Sequence, residues 1–276
     1  MNLDQKLERL KKIIEDMGGV VIGFSGGVDS TFLLKVAAGV LKDRALGVIA
    51  TSSTYPEREL HEAKQLAGQI GACIRIIETE EDKHPKFVSN PTDRCYYCKS
   101  ELFSKLVKIA REENMDFVAD GSNIDDEGDF RPGMKALAEI GVRSPLREAG
   151  LNKTEIRDLS KRLGLPTHDK PSFACLSSRF PYGSSITPEK LKMVDAAENY
   201  VRELGFRTVR VRHYDTTARI ELDIEELPHI VENQVRGKIV NKLKEIGYIY
   251  ITIDLEGFRS GSMNEVLSDK IKRNNA

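Results

Sequence analysis

The stretch from Val20 to Ser30, Val-Val-Ile-Gly-Phe-Ser-Gly-Gly-Val-Asp-Ser, constrains the fold more than any other, because an apolar run stops in a small-residue loop and restarts at once as a helix. From Phe32 to Leu41 the chain is apolar nearly all round, the pattern of a helix buried against a sheet. At the turn, Gly26 and Gly27 let the backbone approach an anion closely and Ser25 and Ser30 add hydroxyl donors. The first amides of the helix point their N–H groups into the same space, which makes a phosphate site. The plainer alternative is a strand-to-helix turn in which Asp29 or Ser30 only caps the helix.

Ser-Gly-Gly-x-Asp-Ser after a strand resembles the pyrophosphate loop (PP-loop) of the N-type ATP pyrophosphatases, which adenylate a substrate and release pyrophosphate. The resemblance implies that ATP binds here, that the loop amides hold the leaving pyrophosphate and that Asp29 helps hold a magnesium ion. The eight-residue Walker loop with its lysine is absent, which disfavours γ-phosphate transfer.

At 276 residues the chain is long enough for two domains, and the sequence pattern divides it at 1–185 and 186–276. The expected fold class is α/β: a doubly wound, mostly parallel sheet, followed by a smaller α+β domain. Forty-two basic and 43 acidic side chains leave a net charge of −1, so no global field recruits nucleic acid or membrane. No apolar run approaches the roughly 18 residues that span a bilayer, and Met1 to Glu15 reads as a charged amphipathic helix rather than a signal peptide. A cytoplasmic protein is expected. Its four cysteines are too sparse for a disulfide framework, so each is read as core, ligand or nucleophile.

Further strands are expected at Leu46 to Ala50, Ala72 to Ile77, Phe117 to Asp120 and Ser144-Pro145-Leu146. Open parallel sheets bind ligands beyond the carboxyl ends of their strands, which places Ala50, Ser52 and Gly121 to touch the nucleotide, the plainer alternative for Ala50 to Ser53 being a solvated loop. Cys73, among Ile and Ala, reads as a small buried hydrophobe. Cys95-Tyr-Tyr-Cys98 opens an amphipathic helix and suits redox chemistry, half a zinc site or part of an iron–sulfur site. The acidic loop with Asp125, Asp126, Glu127 and Asp129 holds metal or substrate, or is a solvated turn. Lys170 to Gly183, rich in Pro, Ser and Gly with one cysteine, Cys175, and one arginine, Arg179, reads as an active-site loop.

From Pro188 onward a helix, strands Thr208 to His213 and Arg219 to Leu222, a helix from Glu225 to Ile246 and a strand Ile249 to Leu255 form the small domain. Alternation along its strands lets Arg210, Arg212, Arg219 and Glu221 share one face, which grips a phosphate or is merely solvated.

Taken together, Ser25 to Ser30, Asn123 to Gly133, Ser172 to Gly183 and the Arg-x-Arg strand resemble the LarE family, ATP-dependent sulfur transferases that build the nickel-pincer cofactor of lactate racemase. The resemblance covers nearly the full chain. It implies adenylation of a carboxylate of a pyridinium bis-carboxylic acid mononucleotide, attack by enzyme-bound sulfur, and release of a thiocarboxylate with AMP. Cys95, Cys98 and Cys175 match the branch in which three thiolates hold a [4Fe-4S] cluster, leaving one iron to carry an extra sulfide. Carried onto matching positions, it implies catalytic roles for Asp29, Glu127, Cys175 and Arg179, and substrate contacts from Ser178, Glu198, Arg210, Arg212 and Glu221. A homo-oligomer and a sulfur donor are further expectations, and the sequence identifies neither the oligomeric state nor the donor. The rival readings are a sacrificial Cys175, a tRNA-thiolating enzyme, which the missing basic face disfavours, and a non-catalytic nucleotide or Fe–S carrier.

Overall fold

The computed structural model describes residues 1–126, 132–171, 174–259 and 261–267. Among these, residues 1–81 with 93–171 form one compact unit and residues 82–92 with 174–267 form another.

The larger unit begins with α1 (Leu3–Met17), capped by Asn2 and Gln5 bonding each other's backbone and stopped by Gly18 at φ 63°. β1 (Val20–Gly23), α2 (Val28–Leu41), β2 (Ala45–Thr51), α3 (Glu57–Ile70) and β3 (Cys73–Glu78) follow in strict alternation. The chain then passes into the smaller unit for a single turn, α4 (Pro85–Val88), and returns as α5 (Arg94–Glu112), β4 (Phe117–Ala119), α6 (Pro132–Ile140), the turn α7 (Pro145–Glu148) and α8 (Lys153–Arg162).

The four strands lie in the order β3-β2-β1-β4, all parallel. The chain winds outward from β1 through β2 to β3, then crosses back to place β4 on the other side of β1. The strand order therefore reverses between β1 and β4, and a doubly wound sheet opens its ligand crevice beyond the carboxyl ends at such a point. Helix α2 fills one side of the sheet, with Phe32, Leu33, Leu34 and Ala37 fully buried in a core shared with α1 and α8. Phe103 and Leu106 of α5 cover the other face against Val21 and Val48.

Two local expectations are corrected. Ser144-Pro145-Leu146 does not extend the sheet: Arg143 makes one isolated parallel bridge to Ala119, and Pro145 opens α7, where its missing N–H breaks no ladder. Cys73 is exposed rather than buried, because it is the first residue of β3, the sheet's edge strand, most of whose residues stay at the surface.

In the smaller unit, α9 (Pro188–Glu203) packs on a sheet of β5 (Val209–Tyr214), β6 (Thr217–Leu222) and β7 (Tyr250–Ile253). β5 and β6 are antiparallel, with Arg210 opposite Glu221 and Arg212 opposite Arg219, while β6 and β7 are parallel. The helix expected from Glu225 to Ile246 is broken into α10 (Leu227–Ile230) and α11 (Asn233–Ile246), after a 3-10 turn at Ile224–Glu226. Glu232 takes extended backbone, φ −57° and ψ 138°, as the cap of α11, so no helix can run through it.

Candidate active site

The loop between β1 and α2 is built as a backbone cradle. Gly26 sits at φ +69°, and a Cβ there would come within 3.0 Å of the Ala63 Cβ on α3, so glycine is required for conformation and for packing. A Cβ added at Gly27 would meet only the Ser25 hydroxyl, at 3.4 Å, which leaves the space above that residue open. Gly27 caps α2, and among the described residues no side chain caps the helix's first amides. Asp29 and Ser30 therefore do not act as caps, and the amides are left for an anion. The Ser25 and Ser30 hydroxyls lie 3.1 Å apart at the mouth of the loop, and Ser30 Oγ also accepts from the Ser25 amide at 3.3 Å.

Other segments of the same unit pin this loop. Gly121, just after β4, is so close that a Cβ would stand 3.0 Å from the Ser30 backbone nitrogen. Asn123 Nδ2 donates to Asp29 Oδ1 at 3.4 Å, and the Lys153 ammonium pairs with Asp29 Oδ2. Tyr55 donates its hydroxyl to the Ser25 carbonyl at 2.8 Å; burial, then the charges of Glu59 and Glu62, push its pKa above the ordinary tyrosine value. Lys170 Nζ bonds Glu59 Oε2 at 2.8 Å and Glu62 Oε2 at 2.9 Å, and reaches the Gly26 carbonyl at 3.5 Å. Burial acts to lower the Lys170 pKa, but Glu59 and then Glu62 outweigh it, so the ammonium is held charged.

Ala50 lies in β2 and Ser52 just beyond its end, as the sheet reading requires. The Ser52 and Thr54 hydroxyls both donate to Glu81 Oε1, at 2.5 and 2.9 Å, which fixes that loop. Cys95 and Cys98 stand one turn apart in the first turns of α5. Lys99 beside them lies 3.7 Å from Asp120, whose other contacts include the Ser122 and Ser144 hydroxyls. Glu127 and Asp129 lie outside the described residues. An oxygen-rich cleft of Asp29, the serine hydroxyls and uncapped helix amides fits a magnesium-bound triphosphate in donor chemistry. Within either unit, no three His, Cys, Asp or Glu side chains among the described residues are grouped as metal ligands.

The smaller unit holds a second polar site, made of side chains. Cys175, half-buried, leads into a 3-10 turn at Leu176–Arg179, and the Arg179 Nη1 ties the turn together by donating to the Ala174 and Cys175 carbonyls and the Ser178 hydroxyl. Arg179 is fully buried and bidentate to Glu198, with bonds of 2.7 and 2.9 Å. Glu198 also accepts from Arg202 at 2.7 Å and from the Val211 amide at 3.0 Å. Burial alone would raise the Glu198 pKa, but Arg179 first and then Arg202 and Arg210 overcome it and bring the value down to about 2.

Arg212 repeats the arrangement: bidentate to the fully buried Glu221 at 2.9 and 2.6 Å, it also donates to the Ser178 carbonyl and the Ser262 hydroxyl. Arg210 lies 5.2 Å above the Phe258 ring, and burial, then repulsion from Arg179, lower its pKa to about 10. The described fold thus brings Cys175, Ser178, Arg179, Glu198, Arg210, Arg212 and Glu221 together within one unit, and places Cys95 and Cys98 in the other.

Lys153 was not among the residues that the sequence singled out. One signal was available: a lysine in the first position of a helix opposes the helix dipole and so asks for an outside partner.

A parallel sheet that reverses its strand order beside a Ser-Gly-Gly-x-Asp-Ser cradle defines a PP-loop nucleotide-binding domain. Residues 3–89 match the NAD synthase family. Over 269 residues the chain is 40% identical to the pyridinium-3,5-bisthiocarboxylic acid mononucleotide synthase of Lactiplantibacillus plantarum, covering 96% of each protein. It is 44% identical over 266 residues to an uncharacterized protein of Synechocystis sp., covering 96% of this chain and 99% of that one. A glutamine-hydrolyzing GMP synthase component from Archaeoglobus fulgidus is 27% identical over 221 residues, 73% of this chain and 69% of that protein. The chain belongs to the LarE family of ATP-dependent sulfurtransferases.

Proposed function

We propose that this chain adenylates a carboxylate of pyridinium-3,5-biscarboxylic acid mononucleotide and converts it to a thiocarboxylate. The observation that carries the reading is the open cradle at Ser25 to Ser30, joined to a full-length likeness to a synthase named for the bisthiocarboxylic product. A carboxylate oxygen attacks the α-phosphorus of ATP and pyrophosphate leaves into the cradle, where the α2 amides and the Ser25 and Ser30 hydroxyls receive its charge. A sulfur nucleophile then attacks the activated carbonyl carbon, and the C–O bond to AMP breaks. Asp29 would hold magnesium, which supplies charge neutralisation on the departing pyrophosphate. Arg210 and Arg212 bind the phosphate of the mononucleotide, Arg179 and Ser178 hold the Cys175 turn in shape, and Glu198 and Glu221 fix the arginines.

Cys95, Cys98 and Cys175 would hold a [4Fe-4S] cluster, which supplies transferable sulfide. The second reading is a sacrificial Cys175, which gives up its own sulfur. Pyrophosphate release from ATP, measured with and without the mononucleotide, tests the first step: release that ignores the mononucleotide overturns the substrate assignment. Anaerobic purification with iron, sulfide and protein mass analysis separates the two sulfur chemistries. Ala at any of the three cysteines lowers bound iron if they are ligands, whereas a sacrificed Cys175 costs each chain one sulfur atom after a single turnover.

A further inference from the structure

The loop from Ser25 to Ser30 contains no basic residue, so cationic side chains at its rim come from elsewhere in the fold. Lys170 and Lys153 both reach its rim, and their surroundings differ. Lys170 is held by two carboxylates, one of which, Glu59, is only 3% exposed. Lys153 has a single carboxylate partner among the described residues, Asp29, and that pair is open to water, the two side chains being 29% and 23% exposed.

Lys153 is the first residue of α8, an unfavourable place for a cation because unpaired amides already make that end positive. Its backbone is fixed there: its amide donates to Asp125 Oδ2 at 2.8 Å, and the Asn152–Glu155 capping box locks the turn. The side chain is thereby aimed across the cleft at the start of α2. Both Asp29 oxygens are engaged as a result, Oδ2 by Lys153 and Oδ1 by Asn123. A metal ion that is to bind Asp29 must displace one of these, and the Lys153 ammonium, unlike the neutral Asn123 amide, is repelled by an incoming divalent cation.

We propose that Lys153 is an exchange cation of the pyrophosphate loop. In the nucleotide-free chain its ammonium occupies the cation position on Asp29; when magnesium and nucleotide arrive, it gives up Asp29 and transfers its charge to the pyrophosphate oxygens. This rests on the reading above that Asp29 holds the metal. Two consequences have opposite signs: Lys153 opposes metal binding in the empty site and favours pyrophosphate binding in the filled one.

The test uses the full chain, with Mn2+ titrated by electron paramagnetic resonance in the absence of nucleotide, and inorganic pyrophosphate titrated by calorimetry at saturating Mg2+. Lys153→Met is expected to tighten Mn2+ about fivefold, by removing the competitor, and to weaken pyrophosphate about tenfold. Lys153→Arg, which keeps the charge, is expected to restore both values toward wild type. Weakening of both ligands in Lys153→Met, or no change in either, would overturn the proposal and leave Lys153 a structural residue. Should Lys153→Met fail to fold, Lys153→Gln takes its place with the same opposed shifts expected. Asp29→Asn is the control for the underlying reading. If it still binds Mn2+ as wild type does, the metal assignment to Asp29 fails, whatever the lysine variants do.

Discussion

The two polar sites of this molecule handle charge in opposite ways. The pyrophosphate loop is made of backbone, small residues and a half-exposed Asp29, with lysines reaching it from distant parts of its own unit. The arginine site of the smaller unit is made of long side chains, and its two glutamates, Glu198 and Glu221, are essentially inaccessible. A backbone cradle presents donors without desolvating a charge, so it stays open to a ligand that comes and goes. A buried Arg–Glu lattice has already lost its water and holds together only through complete pairing. Arg179, Arg202, Arg210 and Arg212 outnumber those two glutamates, and the pKa of Arg210 is lowered by its burial first and then by the repulsion of Arg179. An anionic ligand would relieve it. The first site thus presents its donors toward water, whereas the carboxylates of the second are already taken up by arginines inside the fold.

The comparison breaks most sharply at Asp29. Asp29→Ala is expected to lower pyrophosphate release about a thousandfold, the scale of metal charge stabilisation, with thermal stability nearly unchanged because the side chain supports no core. Wild-type turnover in the variant would remove the metal role.

Glu198→Gln should do the reverse, destabilising the smaller unit by about 3–5 kcal/mol by leaving Arg179 and Arg202 without their carboxylate. Its effect also has a pH signature. The folded-state pKa of Glu198 is depressed from 4.5 to about 2, so the stabilisation it brings is complete above pH 4.5 and is lost as pH falls toward 2. Denaturation curves of wild type across that window are expected to show a loss that Glu198→Gln lacks. Parallel curves would mean that the carboxylate gains nothing from its arginines.

A smaller effect is expected at Arg210. Lys there loses the fork and the stacked guanidinium over Phe258, and should weaken the mononucleotide about tenfold while leaving ATP affinity unchanged. Equal loss of both affinities would mark this face as structural. Cys73→Ala should shift stability by no more than about 0.5 kcal/mol, since the side chain is exposed on an edge strand. A loss of bound iron in that variant would show that the ligand set has been wrongly drawn.

Much of the first site was legible because it is written in consecutive residues. Gly26, Gly27 and the hydroxyls of Ser25 and Ser30 carry their chemistry through local backbone geometry, which a short motif specifies by itself. The placement of Gly121 and Ser52 just beyond strand ends was legible one step further out, from the periodicity of the strands before them. The buried state of Arg210, Arg212 and Glu221 was not: alternation gave a shared face but could not say that the face is covered. Cys73 and Ser144 to Leu146 failed for the same reason, since exposure of an edge and the end of a ladder depend on what lies beside a strand, not on the strand's own residues.

By itself the sequence determined the alternation of strands and helices, the parallel sheet, the phosphate cradle and the helix that carries Cys95 and Cys98, because each follows from periodicity or from conformational rules acting within a few residues. Only the tertiary structure decided the partners of charge. Lys153 reaches Asp29 across 124 residues and Lys170 reaches Glu59 across 111, while Arg179 is bidentate to Glu198 and Arg212 to Glu221 within the smaller unit. An ion pair is set by where folding leaves two side chains and how much water it leaves between them. No spacing along the chain encodes either.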